Sequence, residues 1–141
     1  MNEPSALRRE CEKYGCARRY LDPKLERYSE CFPRKISMGD IDGSVELNGC
    51  ILWVEWKHGA VLEKFEEMNR AQWLQAVAFT RNSHRQSFVF VVGPMSEPEK
   101  WVWRRVRGGK WVGEWERSGE TGLMEMFAKW ADWAEKQEAA A

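Results

Sequence analysis

The segment from residue 40 to residue 57 alternates between polar and apolar side chains on both sides of an Asn48-Gly49 pair. Asn-Gly is the favoured central pair of a two-residue type I′ turn, so the alternation predicts a β-hairpin that turns at these two residues. One face of such a hairpin is polar and the other is apolar. The apolar face, which we expect to contact a core, consists of Ile41, Val45, Leu52, Val54 and Trp56.

The turn also determines which polar side chains lie opposite each other. With a two-residue turn, Asp42 faces Glu55 and Asp40 faces Lys57, and opposed residues of an antiparallel pair share a face. Carboxylates packed this closely raise each other's pKa unless a cation neutralises them. Mg²⁺ suits this role, because it takes oxygen ligands and is commonly held by one or two carboxylates together with substrate phosphate. The alternative is an ordinary polar face with an ion pair between Asp40 and Lys57.

The rest of the chain predicts an alternation of helices and strands. Apolar residues recur at helical spacing at 5–19, 61–81 and 120–137, and Pro23 would open a short helix at about 24–31. The run SFVFVV at 87–92 is typical of a buried central strand. Because a helix joins it to the strand ending at Lys57, these two strands should be parallel.

A second hairpin is predicted at 101–116, with its turn at Gly108-Gly109. Its register divides the side chains into two sets. The set expected to pack on the domain is Val102, Val106, Trp111 and Trp115, with Arg104. The opposite set mixes aromatic rings with cations, which suits stacking on bases and neutralising phosphates, and consists of Trp101, Trp103, Arg105, Arg107 and Lys110. The alternative is that the two tryptophans of this set cover another part of the core.

The aspartate at 42, followed on the neighbouring strand by Glu55-Trp56-Lys57, resembles the signature of the PD-(D/E)XK nuclease superfamily. Gln72, in the helical stretch after Lys57, looks like the glutamine that follows E-x-K in the VRR-NUC and Holliday-junction-resolvase-like branches. The resemblance covers residues 24–93 and implies an α/β fold with a restriction-endonuclease-like αβββαβ core and a mixed sheet. Its first strand would lie near 35–38, and the hairpin and helix at 100–137 would extend the core within a single nuclease-like domain of residues 1–141.

The resemblance also implies roles for individual residues. Asp42 and Glu55, with the carbonyl of Trp56, would hold the metal ion. Lys57 would position the attacking water, and Gln72 would orient Lys57 or a phosphate. The alternative for Gln72 is a structural hydrogen bond inside the core.

Two further carboxylates remain open as metal ligands. Asp40 would replace Asp42 if the hairpin register differed by two residues. In related nucleases an acidic residue of an N-terminal helix often joins the metal site, and Glu30 is preferred to Glu26 for that position. The alternative for both glutamates is a solvated helix surface.

The function implied by this resemblance is that of a metal-dependent endonuclease that hydrolyses DNA phosphodiester bonds, with Mg²⁺ as cofactor and Mn²⁺ as a substitute. A preference for branched or junction DNA, a homodimeric assembly and a role in DNA recombination or repair follow from family analogy alone. The alternative is a non-catalytic DNA- or protein-binding module on a nuclease-like fold.

Composition agrees with a globular protein, since 43% of the 141 residues are hydrophobic and 31% are charged. The net charge is zero, so binding to nucleic acid would depend on local basic patches. One patch lies within 100–110, and a second path for DNA would run over Arg34 and Lys35. No apolar run approaches the roughly 18 residues of a membrane span, so we expect a cytoplasmic protein with no membrane partner.

The four cysteines are expected to be reduced thiols. Cys11, Cys16 and Cys31 could supply three zinc ligands, but their spacing is not that of a recognised close-pair zinc motif.

Overall fold

The chain divides into two units after Asp40, and the computed structural model describes residues 41–138 of the second unit. Of the earlier residues it describes Cys31 and Pro33. The predicted helices at 5–19 and 24–31 and the predicted strand at 35–38 therefore lie outside the described residues, apart from Cys31. The same holds for the part of the predicted core that precedes Ile41.

Five strands form one mixed sheet in the spatial order β1-β2-β3-β4-β5, which with the helices confirms the predicted α/β class. The strands are β1 (Gly43–Leu47), β2 (Cys50–Lys57), β3 (Gln86–Val92), β4 (Val102–Arg107) and β5 (Lys110–Glu116). The helices are α1 (Phe65–Met68), α2 (Arg70–Arg81) and α3 (Gly119–Glu135), with short 3₁₀ helices at Leu62–Lys64 and Pro98–Lys100. None of the helices within 41–138 has the length and apolarity that crossing a bilayer requires.

The β1-β2 hairpin turns at Asn48-Gly49, as its sequence predicts. Asn48 has a φ of 57° and Gly49 a φ of 84°, so both central residues have the left-handed conformation that a type I′ turn requires. The ladder pairs all five residues of β1 in the predicted register. Local turn chemistry therefore fixes the pairing of these two strands.

The central strand β3 runs parallel to β2, from the Ile51–Gln86 pair to the Lys57–Val92 pair. This confirms the predicted crossover. All residues of β3 after Gln86 are buried, as its apolar sequence predicts. β4 is antiparallel to β3, and β5 is antiparallel to β4, so the second hairpin extends the same sheet.

The predicted single helix at 61–81 is interrupted at Asn69. The backbone of Asn69, with φ −122° and ψ 50°, leaves the helical region and separates α1 from α2. Its side-chain Nδ2 donates a hydrogen bond to the carbonyl of Phe65 at 3.1 Å, and asparagine side chains compete in this way with the regular helical pattern. The apolar periodicity at 61–81 predicted one continuous helix, but the structure has two helices, α1 and α2, in this range.

Helices cover both faces of the sheet, and each face has its own core. On the face that we call the α2 face, the core consists of Phe65, Ala76, Phe88, Phe90, Val92 and Val106. On the opposite face, the α3 face, the larger buried side chains include Leu52, Val89, Val91, Trp101, Trp103, Leu123, Met126 and Trp130. Alternation along each strand distributes its side chains between the two cores.

The apolar face predicted for the first hairpin is confirmed for the three residues of β2. Leu52, Val54 and Trp56 all pack on the α3 face. Ile41 instead packs against the α2-face core, because it lies before β1 and outside the regular ladder. Val45 is 48% exposed, because β1 is an edge strand that is only partly covered. For these two residues the prediction is wrong.

The second hairpin turns at Gly108-Gly109, where φ is 63° and 82°. The predicted register holds for the pairs nearest the turn, including Val106 opposite Trp111. The pairing then shifts between Trp103 and Arg105, so that Trp103 lies opposite Glu116.

Candidate functional site

Asp42 and Glu55 meet where the first hairpin opens. Glu55 Oε1 accepts a hydrogen bond from the backbone N–H of Asp42 at 3.3 Å. In turn, Asp42 Oδ2 accepts a hydrogen bond from the backbone N–H of Trp56 at 2.8 Å. Each carboxylate is therefore held by the strand that carries the other one, and the two charges lie side by side as the turn predicted.

Glu55 is the buried member of this pair, with a side chain that is 0% exposed, and its Oε2 lies 3.4 Å from Nζ of Lys57. Burial raises the pKa of Glu55 from 4.5 to about 7, and the negative charge of Asp42 adds to the rise. The charge of Lys57 and the hydrogen bonds from Asp42 and Lys57 lower the pKa in part. The carboxyl of Glu55 can therefore gain or lose a proton near neutral pH.

Strand alternation sets the direction of these side chains. Trp53 packs in the α2-face core, so Glu55 and Lys57, two and four residues further along β2, project toward the same face. Trp56 projects to the opposite face, where its ring packs edge-on against Trp101 with centroids 6.2 Å apart. The polar residues thus interrupt an otherwise apolar α2 face at the end of β2.

Gln72 lies in the first turn of α2 and is half-buried. Because α2 connects the end of β2 to the start of parallel strand β3, its first turn lies at the Lys57 end of the sheet. Within the described part of the chain, however, the Gln72 amide makes no hydrogen bond, either to Lys57 or to a core group. Gln72 therefore lies at the end of the sheet where Lys57 lies, but it does not make the predicted contact with Lys57.

The donor set suits a hard cation held by two protein carboxylates. Asp42 and Glu55 provide carboxylate oxygens at the same end of the hairpin, and the charge of Asp42 contributes to the raised pKa of Glu55. Among residues 41–138 there is no group of three or more histidine, cysteine, aspartate or glutamate side chains positioned to hold a metal. Two protein carboxylates fit Mg²⁺, which keeps several waters. The other candidate ligands, Asp40 and Glu30, lie outside the described residues.

The predicted role of Trp101 and Trp103 in stacking on bases is wrong, because their rings are buried. Trp101 is 6% exposed and donates its Nε1–H to the carbonyl of Pro94 at 2.7 Å. Trp103 is 9% exposed and donates to Oγ of Ser118 at 3.2 Å. Trp103 lies in β4 and Trp101 directly before it, and α3 covers this face of the sheet. The alternative reading, in which both tryptophans cover a second core, is confirmed.

Arg105 and Arg107 alternate with buried Val106 and share the α3 face with Trp103. They therefore lie on the face of the sheet opposite Glu55. Lys110 is exposed at the turn. Any nucleic acid that contacts the Glu55 region and this basic group would have to pass around an edge of the sheet. Arg34 and Lys35, the other predicted contacts, lie outside the described residues.

Arg104 is a cation that sequence reasoning assigned to packing alone. Glu55 pairs with Phe90 and Phe90 pairs with Arg104, so the three side chains form one row on the α2 face. The Arg104 guanidinium lies over the Trp111 ring at 4.5 Å and donates from Nε to the carbonyl of Gly113 at 2.7 Å. The predicted register already grouped Arg104 with the residues of the second hairpin that pack on the domain.

The zinc alternative stays a prediction, because two of its three candidate ligands lie outside the described residues. Cys50 is buried in the α3-face core and Cys31 is exposed, and both are free thiols. Cys11 and Cys16 lie outside the described residues.

The arrangement at the end of β2 can bind a divalent cation or exchange a proton near neutrality. Its chemical components are a buried carboxylate, an adjacent carboxylate and a lysine. Comparison of the chain with protein-family models, with curated proteins and with solved structures finds no match.

Proposed function

We propose that this protein is a Mg²⁺-dependent deoxyribonuclease whose active site consists of Asp42, Glu55 and Lys57. The observation that carries the proposal is the full burial of Glu55 between Asp42 and Lys57, with its pKa raised to about 7. Buried charges in proteins are normally paired or coordinate metals. Strongly shifted carboxyl pKa values concentrate at functional sites.

Burial of Glu55 disfavours folding in the metal-free protein. An apolar residue at this position would avoid the desolvation that raises its pKa, and its sheet neighbour Phe90 is itself apolar. Lys57 offsets part of this cost, but Asp42 adds to it. A divalent cation between the carboxylates would reverse the sign of the interaction between them. A bound divalent cation would therefore account for two carboxylates at this partly desolvated position.

In the proposed site, Asp42 and Glu55 hold the ion, and the carbonyl of Trp56 is the third candidate donor. Bound Mg²⁺ would supply Lewis-acid stabilisation of the charge that develops on phosphate. Lys57 Nζ, 3.4 Å from Glu55, would orient the attacking water and donate hydrogen bonds to phosphate oxygens. Gln72 would contribute its amide once a phosphate is present.

The element order supports the proposal in part. The order of two strands, helices and a parallel third strand is compatible with the ββαβ part of the αβββαβ core of the PD-(D/E)XK superfamily, which the D…E-x-K residues resemble. Branched or junction DNA as substrate, a homodimer, a cytoplasmic location and a role in recombination or repair belong to the proposal through this resemblance alone.

The proposal is tested by incubating the protein with duplex, single-stranded, flap and four-way-junction DNAs in Mg²⁺, in Mn²⁺ or in EDTA. We expect cleavage of at least one substrate with either metal and none in EDTA. Asp42→Asn and Glu55→Gln should remove that cleavage, whereas Glu67→Gln, an exposed glutamate of α1, should retain it. Absence of metal-dependent cleavage on all four substrates would overturn the proposal.

A non-catalytic binding module is the second candidate function, and the missing contact between Gln72 and Lys57 favours it. The amide makes no contact with Lys57 within the described residues, and the ion pair between Lys57 and Glu55 can serve folding alone. Calorimetry with Mn²⁺ separates the two candidates. Binding that the Asp42→Asn/Glu55→Gln double variant loses favours the nuclease, and equal heat in both proteins favours the binding module.

A further inference from the structure

A cavity of about 550 Å³ lies between the β4-β5 hairpin and α3. The sheet contributes Trp103, Arg105, Arg107 and Glu116 to its lining, and α3 contributes residues of one flank that include Lys129 and Trp133. We call it the α3-face cavity. It lies on the face of the sheet opposite Glu55, so it is separate from the proposed active site. Its volume is within the range of roughly 300–1,000 Å³ that is common for small-molecule sites.

Arg105 is the most unusual side chain of this cavity. It is half-buried, and it makes no hydrogen bond or ion pair with any protein group in the part of the chain that the structure describes. Burial and the nearby charge of Arg107 lower its pKa, and Glu116 opposes that change. A guanidinium carries five N–H donors, and no described protein group engages those of Arg105, so they are available to a ligand. Arg105 is therefore suited to an anionic ligand rather than to a structural role.

Arg107 presents a second guanidinium that is already fixed in position. Its Cζ lies 4.7 Å from the centre of the Trp133 ring, and its Nη2 donates to the carbonyl of His84 at 3.3 Å. Arg105 and Arg107 are two residues apart on one strand, so their Cα atoms are about 7 Å apart and their side chains share a face. Arg107 is fixed in position and Arg105 has no partner among the described residues, so the two guanidinium groups can bind one phosphate together.

The remaining charges select for a small anion. Lys129 adds a third positive charge to the lining, but Glu116 and Glu125 add two negative charges. A polyanion such as duplex DNA would meet these carboxylates, whereas a compact phosphate between the arginines would avoid them. Two of the tryptophans of the lining, Trp103 and Trp130, are buried, but Trp133 is half-buried and offers apolar surface to a planar ring.

We propose that the α3-face cavity binds a phosphate monoester attached to a planar ring, that is, a nucleotide, with the phosphate at Arg105 and Arg107 and the ring against the half-buried Trp133. The same chemistry is offered by a free mononucleotide and by the phosphorylated terminal nucleotide of a single strand. Binding there does not require cleavage at Glu55, and the proposal holds whether or not the protein is a nuclease.

The test is a titration in EDTA, followed by calorimetry and by tryptophan fluorescence, with AMP, ribose 5-phosphate and adenosine as probes. We expect AMP to bind at least about tenfold more tightly than either fragment, because phosphate and ring each contribute contacts. Ribose 5-phosphate that binds as tightly as AMP would overturn the role of the ring. No binding of AMP would overturn the site.

Variants assign the binding to this cavity. Arg105→Gln should weaken AMP binding by about tenfold or more, and Glu116→Gln should tighten it, because the second change removes a competing carboxylate. Arg70→Gln, an exposed arginine of α2, is the charge-matched control and should bind AMP like the wild type. Equal affinity in wild type and Arg105→Gln, with circular dichroism showing both folded, would contradict the proposal, as would weaker binding in Glu116→Gln.

One further measurement distinguishes a free nucleotide from the end of a nucleic-acid strand as the ligand. Another distinguishes failure of the nucleotide site from failure of the proposed nuclease site. A single strand with a 5′-phosphate that binds more tightly than AMP, and more tightly than its 5′-hydroxyl form, identifies a strand end. AMP that binds more tightly than both strands identifies a free nucleotide. Glu55→Gln should bind AMP like the wild type, so that loss of the metal site leaves this site intact.

Discussion

The backbone N–H of Asp42 donates a hydrogen bond to Glu55 Oε1 at 3.3 Å, across the open end of the first hairpin. This contact extends the β1-β2 pairing beyond its last regular pair, Gly43 opposite Val54. Two acidic residues that are distant in sequence thereby become neighbours, and one of them is buried. Burial of Glu55 beside a second carboxylate raises its pKa, so both stability and metal binding should depend on pH.

The stability of the metal-free protein should depend on pH through Glu55. Its folded-state pKa is raised from 4.5 to about 7, so the folded protein binds this proton more tightly than the unfolded chain. The stabilisation is complete below pH 4.5 and is lost as pH rises through 7, with a total of about 3 kcal/mol. In EDTA, Glu55→Gln should therefore gain stability relative to the wild type as pH rises from 4.5 to 8.

Urea denaturation of both proteins at these two pH values measures the effect. Glu67→Gln, at an exposed position of α1, is the control and should stay within about 0.5 kcal/mol of the wild type at both pH values. A stability difference between wild type and Glu55→Gln that is the same at both pH values would show that Glu55 does not titrate in this range.

Metal binding should release a proton from Glu55 below neutral pH. A divalent ion requires the ionised carboxylate, and the pKa of about 7 means that a large part of Glu55 is protonated at pH 6. Apparent Mn²⁺ affinity should therefore rise between pH 6 and pH 8. Calorimetry in buffers of different ionisation enthalpy measures the released protons. Affinity that does not change with pH would argue against Glu55 as a ligand.

Trp103→Ala should lower the free energy of unfolding, because the Trp103 ring is buried in the core and does not form part of a binding surface. Trp103 is 9% exposed and its Nε1–H bonds to Ser118, so the truncation should cost about 3–5 kcal/mol of unfolding free energy. Val112→Ala, on the adjacent strand and 37% exposed, should cost under about 1 kcal/mol. Urea denaturation of both variants checks this. A cost for Trp103→Ala no larger than that of the control would restore a surface role for this ring.

The sequence predicts those features of the fold that local chemistry determines. Asn48-Gly49 and Gly108-Gly109 have left-handed backbone at both turn residues, and each turn sets the register of the residue pairs nearest to it. The register alone brings Asp42 to Glu55. The apolar run of β3 and the helix before it predict a parallel central strand, which the sheet confirms.

Features that depend on tertiary packing could not be predicted in the same way. Alternation assigns Trp101 and Trp103 to one face of a hairpin, but it does not say that α3 covers that face. Val45 lies in the same alternation of apolar and polar residues as the buried Leu52 and Val54, yet it is exposed. Its exposure results from the position of β1 at the edge of the sheet, which the local sequence does not reveal. The break at Asn69 depends on a side-chain hydrogen bond that periodicity cannot detect.

The most direct test of the proposed nuclease is the single-turnover cleavage rate of Lys57→Ala in Mg²⁺ on the substrate that the wild type cuts fastest. Lys64→Ala, which removes an exposed lysine from the following 3₁₀ helix, is the matched control. Because Lys57 is proposed to act on the transition state, its loss should reduce the rate by about a hundredfold or more while DNA affinity changes only a few-fold. Lys64→Ala should cleave at the wild-type rate. A Lys57→Ala variant that cleaves as fast as Lys64→Ala would contradict the assignment of this site.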